Sequence, residues 1–363
     1  MSLKIGALFA GYGGLDMAVM DTLDAELAWY AEFDKAPAKV MAHHHPDVPN
    51  LWDVTKVDWS AVEPVDIITG GSPCQDLSHA GKRKGMTDGT RSNLWAEMRE
   101  AIATHRPRLV VWENVRGALS AHADSDMEPC PRCVGGADDG RTVLRALGRV
   151  LGDLSELGYD SRWYGLRASD VGGAHGRFRI FVIAVPTGRP HGRLSPSRPR
   201  RSGAIRPVRT PLILLPTPTS ADAIGSLNPD RPGHGVDGLR ALPAYLLPTP
   251  TTTQRGPDCN LDTREGARAN LHWRQYDAAI RRAERATGRT SPAPTERGPK
   301  SGKPRLSPAF VEWLMMLPAG HVTNPAIGLT RNEQLKALGN GVVPAQCAAA
   351  LRAYIEDERR AVA

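Results

Sequence analysis

Short apolar runs alternate with segments of helical period up to about residue 185, and this alternation restricts the chain to a doubly wound α/β sheet. The strand-like runs are 4–9, 27–33, 65–69, 108–112 and 178–185. Helical period appears over 15–23, 94–103 and 143–157. In the last of these Leu144, Leu147, Leu151 and Leu154 recur at helical spacing until Gly158 stops it. A sheet of this kind places its chemistry outside the carboxyl ends of the strands, so the residues just after each run are the ones to read.

The pattern breaks after 185. Residues 186–304 are rich in Pro, Gly, Arg and Thr, and Leu214-Leu215-Pro216-Thr217-Pro218-Thr219 recurs as Leu246-Leu247-Pro248-Thr249-Pro250-Thr251. One duplicated hexapeptide is too little for a solenoid; it reads as two similar loops or edge strands in a smaller, irregular second domain. Regularity returns at Arg305. Ser307-Pro308 supplies an N-cap and an N1 proline, Thr330 and Glu333 form a capping box for a helix that Gly339 ends, and Pro344 opens the last helix. The expected organisation is one α/β domain, 1–185 and 305–363, interrupted by a different module, 186–304.

With 363 residues, 41% of them hydrophobic, the chain can build a full core. The net charge of +7 favours a polyanionic partner. Five scattered cysteines do not make a disulfide framework, which favours a reducing compartment. The first residues lack the features of a signal peptide, and no apolar stretch approaches the ~18 residues of a membrane helix. The expected protein is cytoplasmic.

Chemistry-bearing residues sit at the strand ends. Gly70-Gly71-Ser72-Pro73-Cys74-Gln75 delivers a cysteine on a Gly/Pro-shaped turn. Alone, it reads as an inert buried thiol or as a nucleophile. Phe9-Ala10-Gly11-Tyr12-Gly13-Gly14 joins the first strand to the first helix, where glycines admit a ligand to the backbone; a bare tight turn is the alternative. Glu32, at the end of the second run, suits the ribose hydroxyls of a nucleoside cofactor, and Asp53, where a third strand would end, suits an adenine amine; two solvated acids are the alternative. Glu113-Asn114-Val115 puts a carboxylate near Cys74, as a structural acid or as a general acid whose pKa burial raises. Arg177 and Arg179 alternate with apolar residues and face one side, which means solvent in an ordinary strand and carbonyl or phosphate binding at an active-site rim.

Taken in order, Phe9 to Gly14, Pro73-Cys74-Gln75, Glu113-Asn114-Val115, Arg177-x-Arg179 and Gly339-Asn340-Gly341-Val342-Val343-Pro344 resemble the motifs of the DNA (cytosine-5) methyltransferases. The resemblance covers about 4–185 and 305–350, with 78–94 similar to the family's active-site loop and 305–318 to a late helix. It implies a Rossmann-like methyltransferase sheet, S-adenosyl-L-methionine as cofactor and double-stranded DNA as substrate. It also implies catalytic roles for Cys74, Glu113, Asn114, Arg177 and Arg179. Cys74 would add to cytosine C6, Glu113 would hold and protonate N3, Arg179 would bind O2, and Asn114 would orient Glu113 and the neighbouring backbone. Phe9, Gly11, Gly13, Gly14, Glu32, Phe33, Asp53, Pro73, Leu94, Asn340 and Val342 would line the cofactor, with Phe33 stacked on adenine. The base must be flipped out of the duplex. Gln75, Ser78, Lys82, Arg83, Lys84 and Arg91 are the expected DNA contacts, on a loop with glycine hinges and three consecutive cations. The module 186–304 would read the target sequence. His175 stands where the family often has Gln.

A monomer is expected, and a cognate restriction endonuclease is left open as a partner. No metal is expected. Cys130-Pro131-Arg132-Cys133 is only half a zinc knuckle, and His43-His44-His45 reads as a solvated helix end. The aromatic and basic residues around Trp273 suit DNA contact and a local core equally. The rivals are a tRNA cytosine-5 methyltransferase and a catalytically silent DNA-binding relative; a thiol oxidoreductase is more distant, because no C-x-x-C occurs at Cys74.

Overall fold

The computed structural model describes residues 2–72, 94–119, 122–123, 144–188, 271–297 and 304–362. At its centre is a mixed sheet of six strands. β1 (Leu3–Leu8), β2 (Ala25–Ala31), β3 (Ile67–Gly70) and β4 (Leu109–Val115) run parallel, in the order β2-β1-β3-β4. β5 (His122–Ala123) and β6 (Leu144–Arg145) form a separate ribbon. β7 (Tyr159–Arg167) and β8 (Phe178–Pro186) complete the main sheet beyond β4, with β8 antiparallel to both neighbours. The chain first steps from β1 out to β2 and then returns to build β3 and β4 on the other side. The order therefore reverses between β1 and β3, and a doubly wound sheet opens its ligand crevice at that point.

Strand periodicity assigns the two faces. Ile5 and Ala7 of β1, Leu109 and Val111 of β4, and Phe181 and Ile183 of β8 point to one side. There they meet α1 (Gly14–Leu23) and α8 (Pro344–Val362) through Val19, Leu351 and Tyr354. Ile68, Val110, Trp112, Ile180 and Val182 point the other way, onto α3 (Trp95–His105) and α4 (Ala146–Glu156). Trp29, Trp95 and Trp112 are fully buried on that side, and each large side chain removed from water stabilises the fold by ~2–3 kcal/mol.

Element ends differ locally from the sequence expectation. β2 stops at Ala31, so Glu32 follows the strand, and Leu144 lies in β6 ahead of a helix that begins at Ala146. β7 carries no buried run: an edge strand buries little, and its residues beyond Tyr159 are exposed or half-buried. The Thr330–Glu333 capping box is reciprocated at the start of α7 (Arg331–Asn340), which ends at Asn340 rather than at Gly339.

A third apolar cluster joins α5 (Leu271–Thr287) to α6 (Pro308–Leu314): Ala279, Ile280 and Ala283 pack with Phe310, Val311, Leu314 and Leu317. β9 (Thr295–Arg297) and β10 (Pro304–Leu306) pair between these helices. The sequence placed the resumption of the first domain at Arg305, but the shared packing reaches back to Ala279.

One buried acid carries a stability cost. Asp16 on α1 accepts the Thr69 hydroxyl of β3 through Oδ1, while Oδ2 has no hydrogen-bond partner among the described residues. Burial pushes this carboxyl up to about 6 from 3.8. The folded state therefore binds its proton more tightly than the unfolded state, and stability is lost as pH rises from about 4 through about 6. Asp16→Asn keeps an acceptor for Thr69 without that cost. It is expected to gain ~2–3 kcal/mol at pH 8 and nothing below pH ~4 in paired denaturant titrations. An equal effect at both pH values would disprove the account.

Candidate active site

After β1 the chain makes a loop with three left-handed residues: Phe9 at φ 55°, Gly11 at φ 58° and Gly13 at φ 83°. At Gly11 a Cβ would meet no atom within 4 Å, so the loop leaves open space there. Glu32 clamps this loop from the end of β2. Its Oε2 accepts the Gly11 amide at 2.7 Å, and its Oε1 accepts the Asp34 amide at 2.7 Å. Burial pushes the Glu32 carboxyl up, and the two amides restrain the rise. Beside it Phe33 and Trp52 are 72% and 51% exposed, large rings with open faces at the mouth of the crevice. Gly14 starts α1, and a Cβ there would stand 2.4 Å from the Val342 carbonyl oxygen.

The far wall comes from the C-terminal segment. Tyr12 donates its hydroxyl to the Val342 carbonyl at 2.6 Å, and its ring lies on Gly341 so closely that a Cβ there would come within 1.8 Å. His321 donates from Nε2 to the Tyr12 carbonyl at 2.8 Å, and His44 donates to the His321 carbonyl at 2.8 Å. The two imidazoles stack at 4.2 Å. Burial lowers the His321 pKa and favours the neutral ring. His44, the last residue of α2 (Lys35–His44), is exposed as expected of a solvated helix end, and it also docks on this segment. Asn340 is exposed and Val342 half-buried beside the crevice.

The strand end expected at Asp53 needs a correction. No strand ends there. Asp53 N-caps a short 3-10 turn (Val54–Lys56) and accepts the Thr55 amide and hydroxyl, which hold its carboxyl low. Leu94 packs its side chain against the apolar cluster under β3 and β4.

At the ends of β3 and β4 the polar groups converge. Arg179 Nε lies 2.7 Å from Glu113 Oε1, with both side chains nearly buried. Burial pushes Glu113 up, and the Arg179 and Arg177 cations oppose that rise. Glu113 Oε2 stands 3.0 Å from where a Cβ at Gly71 would be, so the Gly-Gly turn makes room for the acid. Ser72, two residues before Cys74, is fixed to β4. Its hydroxyl accepts Trp112 Nε1 at 3.1 Å, and its carbonyl accepts Asn114 Nδ2 at 3.1 Å. Asn114 Oδ1 also accepts the Val115 amide at 2.8 Å. Asn114 therefore anchors the root of the cysteine turn and makes no hydrogen bond to Glu113 among the described residues.

Arg177 is buried and donates to the Gly339 and Gly341 carbonyls at 3.0 and 2.7 Å. The carbonyls it was expected to suit are those of the chain itself. His175 is fully buried, donates to the Leu314 carbonyl at 3.1 Å and is pushed down to about 3 by burial and the Arg177 charge, so it is a neutral spacer.

Pro73, Cys74, Gln75, Ser78, Lys82, Arg83, Lys84 and Arg91 lie outside the described residues, as do Cys130 and Cys133. Among the described residues no cluster of three metal-ligating side chains occurs, and no helix is long and apolar enough to cross a membrane. Sequence reasoning gave no role to Tyr12, Ser72 or His321. Tyr12 was visible inside the glycine motif, whereas His321 carried no local signal.

Known proteins bear on this arrangement. The chain is 32% identical over 180 residues to the type II methyltransferase M1.ScrFI of Lactococcus lactis subsp. cremoris, covering 50% of this chain and 41% of that protein. It is 30% identical over 186 residues to the orphan methyltransferase M.Rho11sI of Bacillus phage rho11s, covering 50% and 33%. A protein of Escherichia phage P1 named as a DNA N-6-adenine-methyltransferase is 31% identical over 218 residues, covering 50% and 28%. The chain thus spans less than half the length of each of these relatives. Among solved structures, the S. pombe Dnmt2 methyltransferase shares the fold at a TM-score of 0.52 and 15% identity, covering 96% of this chain and 97% of that one. The family model of C-5 cytosine-specific DNA methylases matches residues 3–202, and with that match the chain belongs to this family.

Proposed function

We propose that this chain transfers a methyl group from S-adenosyl-L-methionine to C5 of a cytosine in double-stranded DNA, within a specific sequence. The observation that carries the reading is the convergence at the ends of β3 and β4: a buried Glu113–Arg179 pair beside Ser72, which β4 holds two residues before Cys74. S-adenosyl-L-methionine supplies an electrophilic methyl group. Its fit is supported by the open space at Gly11, the Glu32 carboxylate within the loop and the exposed Phe33 ring.

Cytosine C5 is a weak nucleophile. The Cys74 thiolate adds to C6 of the flipped base as Glu113 gives a proton to N3, and the electron pair gathers at C5. Arg179 binds O2, where negative charge develops. C5 takes the methyl group, leaving S-adenosyl-L-homocysteine; water then takes the C5 proton, the Cys74 thiolate is expelled, and N3 returns its proton to Glu113 as the ring is restored. Arg177 and Asn114 act as positioning residues, one on Gly339 and Gly341, the other on Ser72.

Lys82, Arg83, Lys84 and Arg91, with Gln75 and Ser78, are proposed to hold the DNA around the extruded base. The stretch 186–304, at least before α5, is proposed to read the target. The chain is proposed to work in the cytoplasm as a monomer.

The test is methyl transfer from labelled S-adenosyl-L-methionine to unmethylated duplex DNA, compared with Cys74→Ala and followed by base-resolution mapping. Label in 5-methylcytosine at one recurrent sequence, lost in the variant, is expected. Label in N6-methyladenine, label in RNA alone, or binding without transfer would each overturn the reading in favour of a different acceptor or a silent scaffold.

A further inference from the structure

α5 presents a row of arginines that methyl transfer does not use. Ala279, Ile280 and Ala283 turn one face of the helix into the core, which leaves Arg281 and Arg285 exposed one turn apart. With Arg289, Gly288, Thr290 and Glu284 they line an open pocket of about 360 Å³. Among the described lining residues the acid is Glu284, whose Oε1 accepts the Ser291 amide at 3.0 Å. Like charges at this spacing repel one another. Burial and the Arg285 cation push the neighbouring Arg282 guanidinium down, so the repulsion is felt within the cluster.

The row is fixed at the catalytic edge of the sheet. Arg282 donates to the Gly173 carbonyl at 3.4 Å, four residues before Arg177. The chain then enters β8, where Arg179 pairs in register with Val115 at the end of β4. Arg289 donates to the Leu317 carbonyl, and Trp313 donates to the Arg289 carbonyl at 3.3 Å. A cationic strip is therefore anchored to the segment that leads into Arg177 and β8.

We infer that Arg281, Arg285 and Arg289 bind phosphates of the duplex flanking the target cytosine; this rests on DNA being the substrate. Phosphate contacts release counterions, so each adds about 0.9 to the slope of log affinity against log salt. The experiment measures binding of unmethylated genomic duplex fragments across a salt series for the wild type, for Arg281→Gln/Arg285→Gln and for Arg359→Gln/Arg360→Gln. The last pair removes the same charge from the exposed end of α8.

The α5 double variant is expected to bind about tenfold more weakly at moderate salt, with a slope shallower by about 2, and Arg281→Lys/Arg285→Lys to recover most of both. The α8 variant is expected to match the wild type. Equal weakening by both double variants, or none by the α5 pair, would overturn the inference while leaving methyl transfer by the wild type intact. A wild type that neither binds nor methylates DNA but binds duplex RNA would overturn the functional reading beneath it.

Discussion

Glu113→Gln lowers the rate of methyl transfer by about 10²- to 10⁴-fold while cofactor binding stays close to wild type. The expectation follows from one proton. Gln fills the space beside Gly71 and still offers an oxygen to Arg179, but it has no proton to give cytosine N3 as the thiolate adds. Without that proton the negative charge of the adduct stays on the ring, and Arg179 alone must stabilise it. The pH dependence has a definite sign. Burial raises Glu113, so its acid form persists to higher pH than that of an exposed glutamate. In the wild type, turnover through this step falls as pH rises past the Glu113 pKa, and in Glu113→Gln that limb disappears. Single-turnover rates with saturating cofactor check both statements. A variant within threefold of wild type, or one that keeps the alkaline limb, would remove Glu113 from the acid role.

Arg177→Met is expected to act on stability first and on catalysis second. Its guanidinium donates to the Gly339 carbonyl in the last turn of α7 at 3.0 Å and to the Gly341 carbonyl just beyond it at 2.7 Å. Methionine fills similar volume and leaves both acceptors without that donor. Each unsatisfied buried acceptor costs ~1–3 kcal/mol, so the loss is about 2–6 kcal/mol, a large fraction of the stability of an ordinary domain. Because Gly341 lies on the Tyr12 ring and Val342 accepts the Tyr12 hydroxyl, the same change is expected to loosen the crevice proposed to hold the cofactor. KM for S-adenosyl-L-methionine should rise tenfold or more. A residue that touched the base instead would lose rate with its thermal unfolding unchanged. Unfolding curves and a KM against kcat split therefore separate the two roles, and an unchanged midpoint falsifies the positioning role.

Period and strand-end chemistry carried much of the fold and part of the site. Continuous apolar runs located β1 to β4 and β8, because strands buried on both faces carry no polar alternation. β7 escaped notice for the opposite reason: at the edge of the sheet it buries too little to write a hydrophobic pattern. The Glu113 and Arg179 positions were legible because both follow or sit within strong apolar runs. Asp53 was misread because a carboxylate after a tryptophan resembles a strand end, when its side chain in fact caps a turn. His321 and Tyr12 meet across 309 residues, and no local pattern records a contact so distant. The purpose of Arg177 was hidden likewise, since its carbonyl partners lie 162 and 164 residues further on.

The clasp between Tyr12 and Val342 bears on how the protein is born. The glycine loop leaves the ribosome well before the groups that close its far wall, which lie 309 to 330 residues later in the chain. At a synthesis rate of ~5–20 residues per second, the loop waits on the order of 15 to 60 seconds for its partners. During that interval the nascent chain can pair β1 with β2 and β3 but lacks the wall supplied by Gly341 and Val342. A growing chain arrested before Val342 should therefore show native-like protection in the sheet and weak retention of S-adenosyl-L-methionine. Methylating competence would then arrive late and abruptly, as the last turn before α8 emerges.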